Sequence, residues 1–536
     1  MDRFNSEIIH RIVEHLPRGH PANWDWLLAT SVLKNAPEER WYISRQWRDV
    51  IERRVFSSVH LESVEESLSE FESAFAHPRR REYLRQLQLF LWLAADSVTL
   101  EGHEKNVAVF GNTLFRVFAT MHAWGPSPGI RLELSFGRGQ RQPLFLGHVF
   151  RYLRLTNHEL PTVPSITDLD WPAMDSGYMP RLHPTALCQI LTALPNLESL
   201  TLSLKQPSRR VCCLRKKHRL ALADGLRTLS LPRLRTLRLA LGDDDPKNQS
   251  FVPCKLENAE DSPGQIEPLS DALRIFTQSC PLLQEVVLSD GKFSSALFRN
   301  PRTAANDTQT WPALESLTIT MRGNLLAPNG AWYFTSEEQQ PRNEVTPHNE
   351  GFKFTNCDAP WWLRIVRHFS GVTSDLDDGE SDLGLTLHEP LAELNEFVGD
   401  APLNEWRTRP DPIVFDPLAQ SMMEAVNDSM PKLRSLTFEI ASNHDPVPSA
   451  GVRIACHDTG ASSKMTPYGE EKGETRGERE KETVVETREE GPRRCLIWFG
   501  HNTRWAMPGG VAASCKAWVG EKGTVLLQEW QDLVPL

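Results

Sequence analysis

Pro195-Asn196-Leu197-Glu198-Ser199-Leu200-Thr201-Leu202 is the stretch whose reading decides the fold. An apolar residue stands two places after the Pro, and two more follow in alternation with polar residues. Such period-two alternation turns one side of an extended strand toward a core and the other toward water. Proline has no N–H for a strand ladder, so it belongs at the strand's entrance. The pattern returns in Pro232-Arg233-Leu234-Arg235-Thr236-Leu237-Arg238-Leu239, and again from Pro281 to Leu288, Pro312 to Ile319 and Pro431 to Phe438. Helical spacing leads into several copies: Leu187, Ile190, Leu191 and Leu194 before Pro195, Leu269, Leu273 and Phe276 before Pro281, and Met422, Met423, Val426 and Met430 before Pro431. Recurring helix–Pro–strand units predict a stacked repeat array. The Pro anchors are unevenly spaced, so insertions are expected within the array, the largest from Leu325 to Asp416.

Moving outward toward the N-terminus, Val64, Leu68, Phe71 and Phe75 mark a helix, and Leu87, Leu89, Leu91 and Leu93 a strand. Val107, Phe110, Leu114, Phe118 and Met121 mark a further helix, and Ile130, Leu132, Leu134 and Phe136 the next strand. The segment Pro161 to Pro184 reads as Pro-rich and irregular. Arg209-Arg210-Val211-Cys212-Cys213-Leu214-Arg215-Lys216-Lys217-His218-Arg219 is the strongest local concentration of positive charge. It is expected as an exposed insertion loop, with Arg209, Arg210, Arg215, Lys216, Lys217 and Arg219 as a candidate nuclear-localisation patch. Thr466 to Arg494 mixes acidic and basic residues with almost no apolar ones and reads as a solvated linker. Cys495 to Phe499, Ala517 to Val519 and Thr524 to Leu527 read as strands of a closing β-hairpin.

The bulk numbers exclude several classes. A net charge of −11 argues against a nucleic-acid partner, whose phosphates call for concentrated Lys and Arg. No apolar run approaches the roughly 20 residues that cross a bilayer, so no membrane role is expected. Nine Cys, an odd number without paired CxxC spacing, point to a reducing intracellular compartment, cytoplasmic or nuclear.

No catalytic motif is present: there is no GxSxG, no P-loop and no HExxH, so no enzyme and no cofactor are expected. Asp375-Leu376-Asp377-Asp378-Gly379 places its Gly one position too early for a calcium loop, and no Glu closes it at the twelfth position. Cys212 and Cys213 are adjacent, a spacing poorly suited to gripping one zinc ion, and no metal site is expected.

The first 55 residues hold three short helical patterns. Phe4, Ile8, Ile12 and Leu16 recur every four residues, widened by Ile9 and Val13, and Pro17 ends the stripe. Trp24, Leu27, Leu28 and Val32 form a second, and Ile43, Trp47, Val50 and Ile51 a third. Glu7, Ile8, Ile12 and Leu16, followed by Ile43, Ser44, Arg45, Trp47, Arg48 and Val50, resemble an F-box. Phe4-Asn5 stands where that family has Leu-Pro, and the middle is lengthened from Trp24 to Arg40. A helical start of this kind could also serve only as a cap on the repeats.

The resemblance, joined to the repeats, is to an F-box protein with degenerate leucine-rich repeats, of the type common in fungi. The expected fold is α/β: an F-box-like helical module over residues 1–58, an irregular leucine-rich-repeat-like solenoid over 59–445, a charged linker over 446–494 and a small C-terminal β element over 495–536. The resemblance implies a substrate-recognition adaptor of an SCF-type ubiquitin ligase. Phe4, Ile8, Ile9, Ile12, Leu16, Trp47 and Val50 would dock on the Skp-type adaptor, and the repeats would hold an unknown protein substrate. The alternative is a protein-interaction scaffold without ubiquitin machinery. In either case the polar residues between the apolar strand positions, among them Glu198, Thr201, Arg235 and Arg238, would carry specificity.

Overall fold

A computed structural model describes residues 52–93, 100–125, 129–136, 152–155, 159–171, 181–207, 212–242, 249, 266–299, 310–322, 325–336, 406–442, 450–458, 493–500 and 503–529. The chain divides into two compact units, Met1–Leu202 with Ser230–Leu234, and Ser203–Leu229 with Arg235–Leu536.

In the first unit β1 (Ser58–Glu62) leads to α1 (Glu65–Ala74) and the short α2 (Pro78–Arg81). Next come β2 (Gln86–Leu91), α3 (Leu100–His122) and β3 (Ile130–Phe136). After β4 (Tyr152–Leu153), β5 (Ile166–Trp171) and β6 (Arg181–Leu182), α4 (Pro184–Thr192) returns the chain to β7 (Ser199–Ser203). β1, β2, β3, β5 and β7 pair in that order, all parallel. Alternation decides which face is buried: Val59 and Leu61, Leu87 and Leu89, and Leu132 and Leu134 point inward. They lie on the core side with the apolar stripes of α1 (Leu68, Phe71) and α3 (Phe110, Leu114, Phe118).

The second unit begins with α5 (Cys212–Thr228), β8 (Thr236–Ala240), α6 (Pro268–Gln278) and β9 (Glu285–Ser289). A 3-10 turn (Ser295–Leu297) precedes β10 (Ser316–Arg322), and the small strands β11 (Phe334–Thr335) and β12 (Arg409–Pro410) pair with each other. Then come α7 (Phe415–Ser429), β13 (Ser435–Ala441), β14 (Gly451–His457), β15 (Arg494–Phe499), α8 (Gly509–Val519) and β16 (Thr524–Glu529). β8, β9, β10 and β13 are parallel neighbours, β14 runs antiparallel to both β13 and β15, and β15 and β16 are parallel.

Every quoted Pro phrase enters a strand, and each does so by the same turn. The N–H of the apolar residue two places after the Pro donates to the carbonyl of the residue before the Pro. The distances are 3.3 Å for Leu197, 3.1 Å for Leu234, 3.1 Å for Leu283, 3.4 Å for Leu314 and 3.1 Å for Leu433. Pro sits at the second turn position, where its fixed φ fits and its missing N–H costs nothing. All five of those Leu side chains are at most 2% exposed. A sixth copy lies inside the stretch expected to be irregular: Pro164-Ser165-Ile166 makes the same turn, with Ile166 N–H to the Val163 carbonyl at 3.4 Å, and enters β5.

The expected architecture is corrected. The protein is α/β, but its described residues form a mostly parallel sheet with C-terminal strands joined to it, not a repeat solenoid with a detached C-terminal β element, and residues 1–51 of the expected helical module lie outside the described residues. In the first unit the strands β1-β2-β3-β5-β7, and in the second β8-β9-β10-β13-β14-β15-β16, lie side by side in a mostly parallel sheet. The expected C-terminal hairpin is a parallel strand–helix–strand unit continuing from β14, and Ala517 to Val519 lie in its helix rather than in a strand. The reason is in the spacing, because Val511, Cys515, Trp518 and Val519 are buried at helical, not alternating, intervals. β14 itself falls within the stretch read as linker, while residues 459–492 lie outside the described residues.

Leu89 is fully buried and Gln88 faces outward. Leu89→Ala is expected to cost about 2–5 kcal/mol in denaturant unfolding and Gln88→Ala less than about 1 kcal/mol. At the start of α4, the His183 side chain accepts the Thr185 N–H. Burial, and then the Arg154 charge, push its imidazole down to about 4. The unfolded chain takes up this proton before the native state does, so its contribution is full above pH 6.5 and is lost as pH falls toward 4. His183→Asn replaces the capping ring nitrogen with a capping oxygen and should remove that part of the pH dependence of the unfolding midpoint.

Candidate functional site

The alternation that buries one side of each strand leaves a row of polar side chains on the other. In the first unit the register aligns His60 with Gln88, and Gln88 with Glu133, while Asp170 lies beside Glu133. These groups are tied together. His60 Nδ1 and Gln88 Oε1 lie 3.2 Å apart, and Gln88 Nε2 donates to Glu133 Oε1 at 3.0 Å. Gln86 Nε2 reaches Glu133 Oε2 at 3.4 Å, and Arg131 donates to Asp170. Toward the carboxyl end of β2 the row becomes aromatic. The His60 ring is 5.3 Å from Phe90, and Phe90 is 5.1 Å from Trp92, which is 41% exposed. A large, partly exposed aromatic beside ordered polar groups is the composition of a protein-binding anchor.

In the second unit the rows are richer in hydroxyls. Ser316 lies between Glu285 and Ser435, Thr318 between Val287 and Thr437, and Thr320 between Ser289 and Glu439. Arg238 donates to Glu285 at 2.9 Å. Ser435 Oγ is 3.2 Å from His457 Nδ1, and burial followed by the Arg453 charge lowers the His457 pKa. Glu439, 2% exposed, pairs with Arg453 at 3.8 Å, and the Arg453 guanidinium lies 5.1 Å from the Trp498 ring centroid. Amides, carboxylates and hydroxyls held in register can accept and donate hydrogen bonds to a polypeptide. Among the described residues, no group of three or more His, Cys, Asp or Glu is arranged to hold a metal ion. Nor is any helix among them long and apolar enough to cross a membrane.

The residues expected to dock the adaptor, Phe4, Ile8, Ile9, Ile12, Leu16, Trp47 and Val50, lie outside the described residues, as do Arg209 and Arg210. The rest of the basic stretch is a helix, α5, and not the expected loop. Arg215, His218, Arg219, Leu222 and Leu226 recur at helical spacing and are all buried. Arg219 Nη2 donates to Glu267 Oε1 at 3.0 Å and to the Lys292 carbonyl at 2.8 Å. Glu267 also accepts the N–H groups of Leu269 at 3.1 Å and Ser270 at 2.7 Å, capping α6. Arg219 is thus a core cross-link, and of the described candidate-patch residues Lys216 and Lys217 are the ones at least partly accessible.

Glu198 and Thr201 are half-buried and Arg235 and Arg238 exposed, as expected of residues between the apolar positions. The Gln86, Gln88, Phe90, Trp92 and Glu133 group was not singled out from sequence. Its signal is simply the intervening positions of strands already recognised by their Leu residues. No family model matches the chain, and no curated protein matches it.

Removing Arg219 leaves Glu267 buried without its counter-charge, so Arg219→Ala should lose about 3–5 kcal/mol of unfolding free energy. Exposed Lys217→Ala should change it by less than about 0.5 kcal/mol. Chemical denaturation of the two variants side by side checks this.

Proposed function

We propose that the protein is a substrate-recognition adaptor of an SCF-type ubiquitin ligase. Its N-terminal helices would hold a Skp-type adaptor, and the polar face of its sheet would hold a protein substrate. The protein would act inside the cell, in the cytoplasm or nucleus, by recruitment and without catalysing ubiquitin transfer itself. The observation that carries the recognition half is the register-aligned row His60–Gln88–Glu133, with Phe90 and the exposed Trp92 following Gln88 along the chain. Ordered polar groups around a large aromatic give a partner both orientation and an apolar anchor. What supports the ligase half is the F-box-like spacing of Glu7, Ile8, Ile12 and Leu16 with Trp47 and Val50. Five described cysteines, Cys188, Cys280, Cys456, Cys495 and Cys515, are free thiols, in keeping with a reducing compartment.

The test is retention of the full chain on purified Skp-type adaptor. The wild type should be retained, and Ile8→Asp with Leu16→Asp should lose at least ten-fold in affinity, about 1.4 kcal/mol or more. Failure of the wild type to bind, or binding indifferent to the double variant, overturns the ligase reading and leaves an interaction scaffold. In affinity capture from cells, Trp92→Ala with Glu133→Ala should keep the adaptor and lose the other captured proteins. An unchanged set of captured proteins removes the sheet face as the recognition surface.

A further inference from the structure

Three thiols meet on the buried side of the second unit, away from the polar face. Cys456 on β14 and Cys495 on β15 are register partners across an antiparallel pair, and their Sγ atoms are 3.1 Å apart. The helix α8 packs on β15, and an interaction of its Cys515 with Cys495 raises the Cys515 pKa. All three are fully buried. Opposed residues of an antiparallel pair have Cα atoms about 4.5–5.5 Å apart, inside the range of about 4.4–6.8 Å that a disulfide spans. The sulfurs are already in contact, so bond formation needs side-chain rotation and no strand shift.

We propose that this cluster is a thiol-oxidation site, in which Cys456 and Cys495 join as a cross-strand disulfide and Cys515 is the exchange partner. The oxidant is of the hydroperoxide class. One thiol attacks a peroxide oxygen, becoming a sulfenic acid as the O–O bond breaks and water leaves. The second thiol attacks that sulfur, the S–S bond forms and a second water leaves. Two thiols and one hydrogen peroxide thus give one disulfide and two waters, the two electrons passing from the sulfurs to the peroxide. Exchange follows when the Cys515 thiol loses its proton and attacks the Cys495 sulfur, the S–S bond to Cys456 breaks, and the departing Cys456 sulfur takes up that proton to leave as a thiol. The first bond ties β14 to β15 at the two ends of the chain segment 459–492, and the second ties β15 to α8.

The reaction belongs to sustained oxidant exposure. The hydrogen bond with Cys456 leads the causes that raise the Cys495 pKa, and the bond with Cys495 leads those that raise Cys515. Both are therefore held as thiols, which react more slowly than thiolates. β15 lies one strand from the end of the sheet, with β16 as the last strand, so the route for an oxidant to Cys495 is shortest from that edge.

The test treats the full chain with hydrogen peroxide, then alkylates it under denaturing conditions and maps the peptides by mass. The expected result is joint loss of alkylation at Cys456 and Cys495, with a linked peptide lighter by two hydrogens. Cys456→Ala should move the link to Cys495–Cys515, and Cys495→Ala should abolish both. Circular dichroism before treatment confirms that each variant is folded, and the wild-type map stands if one is not. Full alkylation of all three after treatment, or links from them only to other cysteines or to a second chain, overturns the proposal.

Discussion

The structure depends on one turn, repeated. At six strand entrances the N–H of an inward Leu or Ile closes onto the carbonyl of the residue before a Pro, at 3.1 to 3.4 Å. That bond fixes where the strand begins, and the buried apolar side chain at its end fixes which face of the strand turns inward. A slip of one residue would send every side chain of the strand to the opposite face. The next residue then donates to the preceding strand, as Glu198 does to the Thr167 carbonyl at 2.7 Å and Arg434 to Glu315 at 2.9 Å. Each copy therefore carries the phase of the one before it, and parallel strands pair without a register of their own to find.

The candidate recognition face follows from the same phase. Once Leu87, Leu89 and Leu91 are committed inward, Gln86, Gln88 and Phe90 have only the other side to occupy. Neighbouring strands in the same phase bring His60, Gln88 and Glu133 into line, although they come from distant parts of the chain. The buried pair Arg219–Glu267 has a different part. It joins α5 to the capped start of α6 and to the Lys292 carbonyl, holding the helical layer in place beneath the sheet of the second unit.

Strands entered by Pro were legible because their signal is local: a turn residue, then alternation. Even the missed copy at Pro164 carries the same spacing as that at Pro195, with Ile166, Leu169 and Trp171 answering Leu197, Leu200 and Leu202. The neighbouring Pro161 gives the stretch the composition of an irregular loop. The basic stretch at Arg215 to Arg219 misled for the opposite reason. Charge predicts exposure unless a partner is buried with it, and Glu267 is 48 residues away in sequence. The last strands misled through period, since Ala517-Trp518-Val519 is too short a run for alternation to be told from a helical face.

The sequence by itself determined the entrances of the Pro-led strands and the division of each of those strands into buried and open sides. Those properties need only contacts within one turn or a few residues. The tertiary structure decided that the C-terminal strands extend the main sheet, that Arg219 belongs to the core, and that Cys456, Cys495 and Cys515 meet. Each of these depends on groups that come together only when separate elements pack. The physical reason is that backbone pairing, charge burial and sulfur contact are set by neighbours in space, and period and composition record only neighbours along the chain.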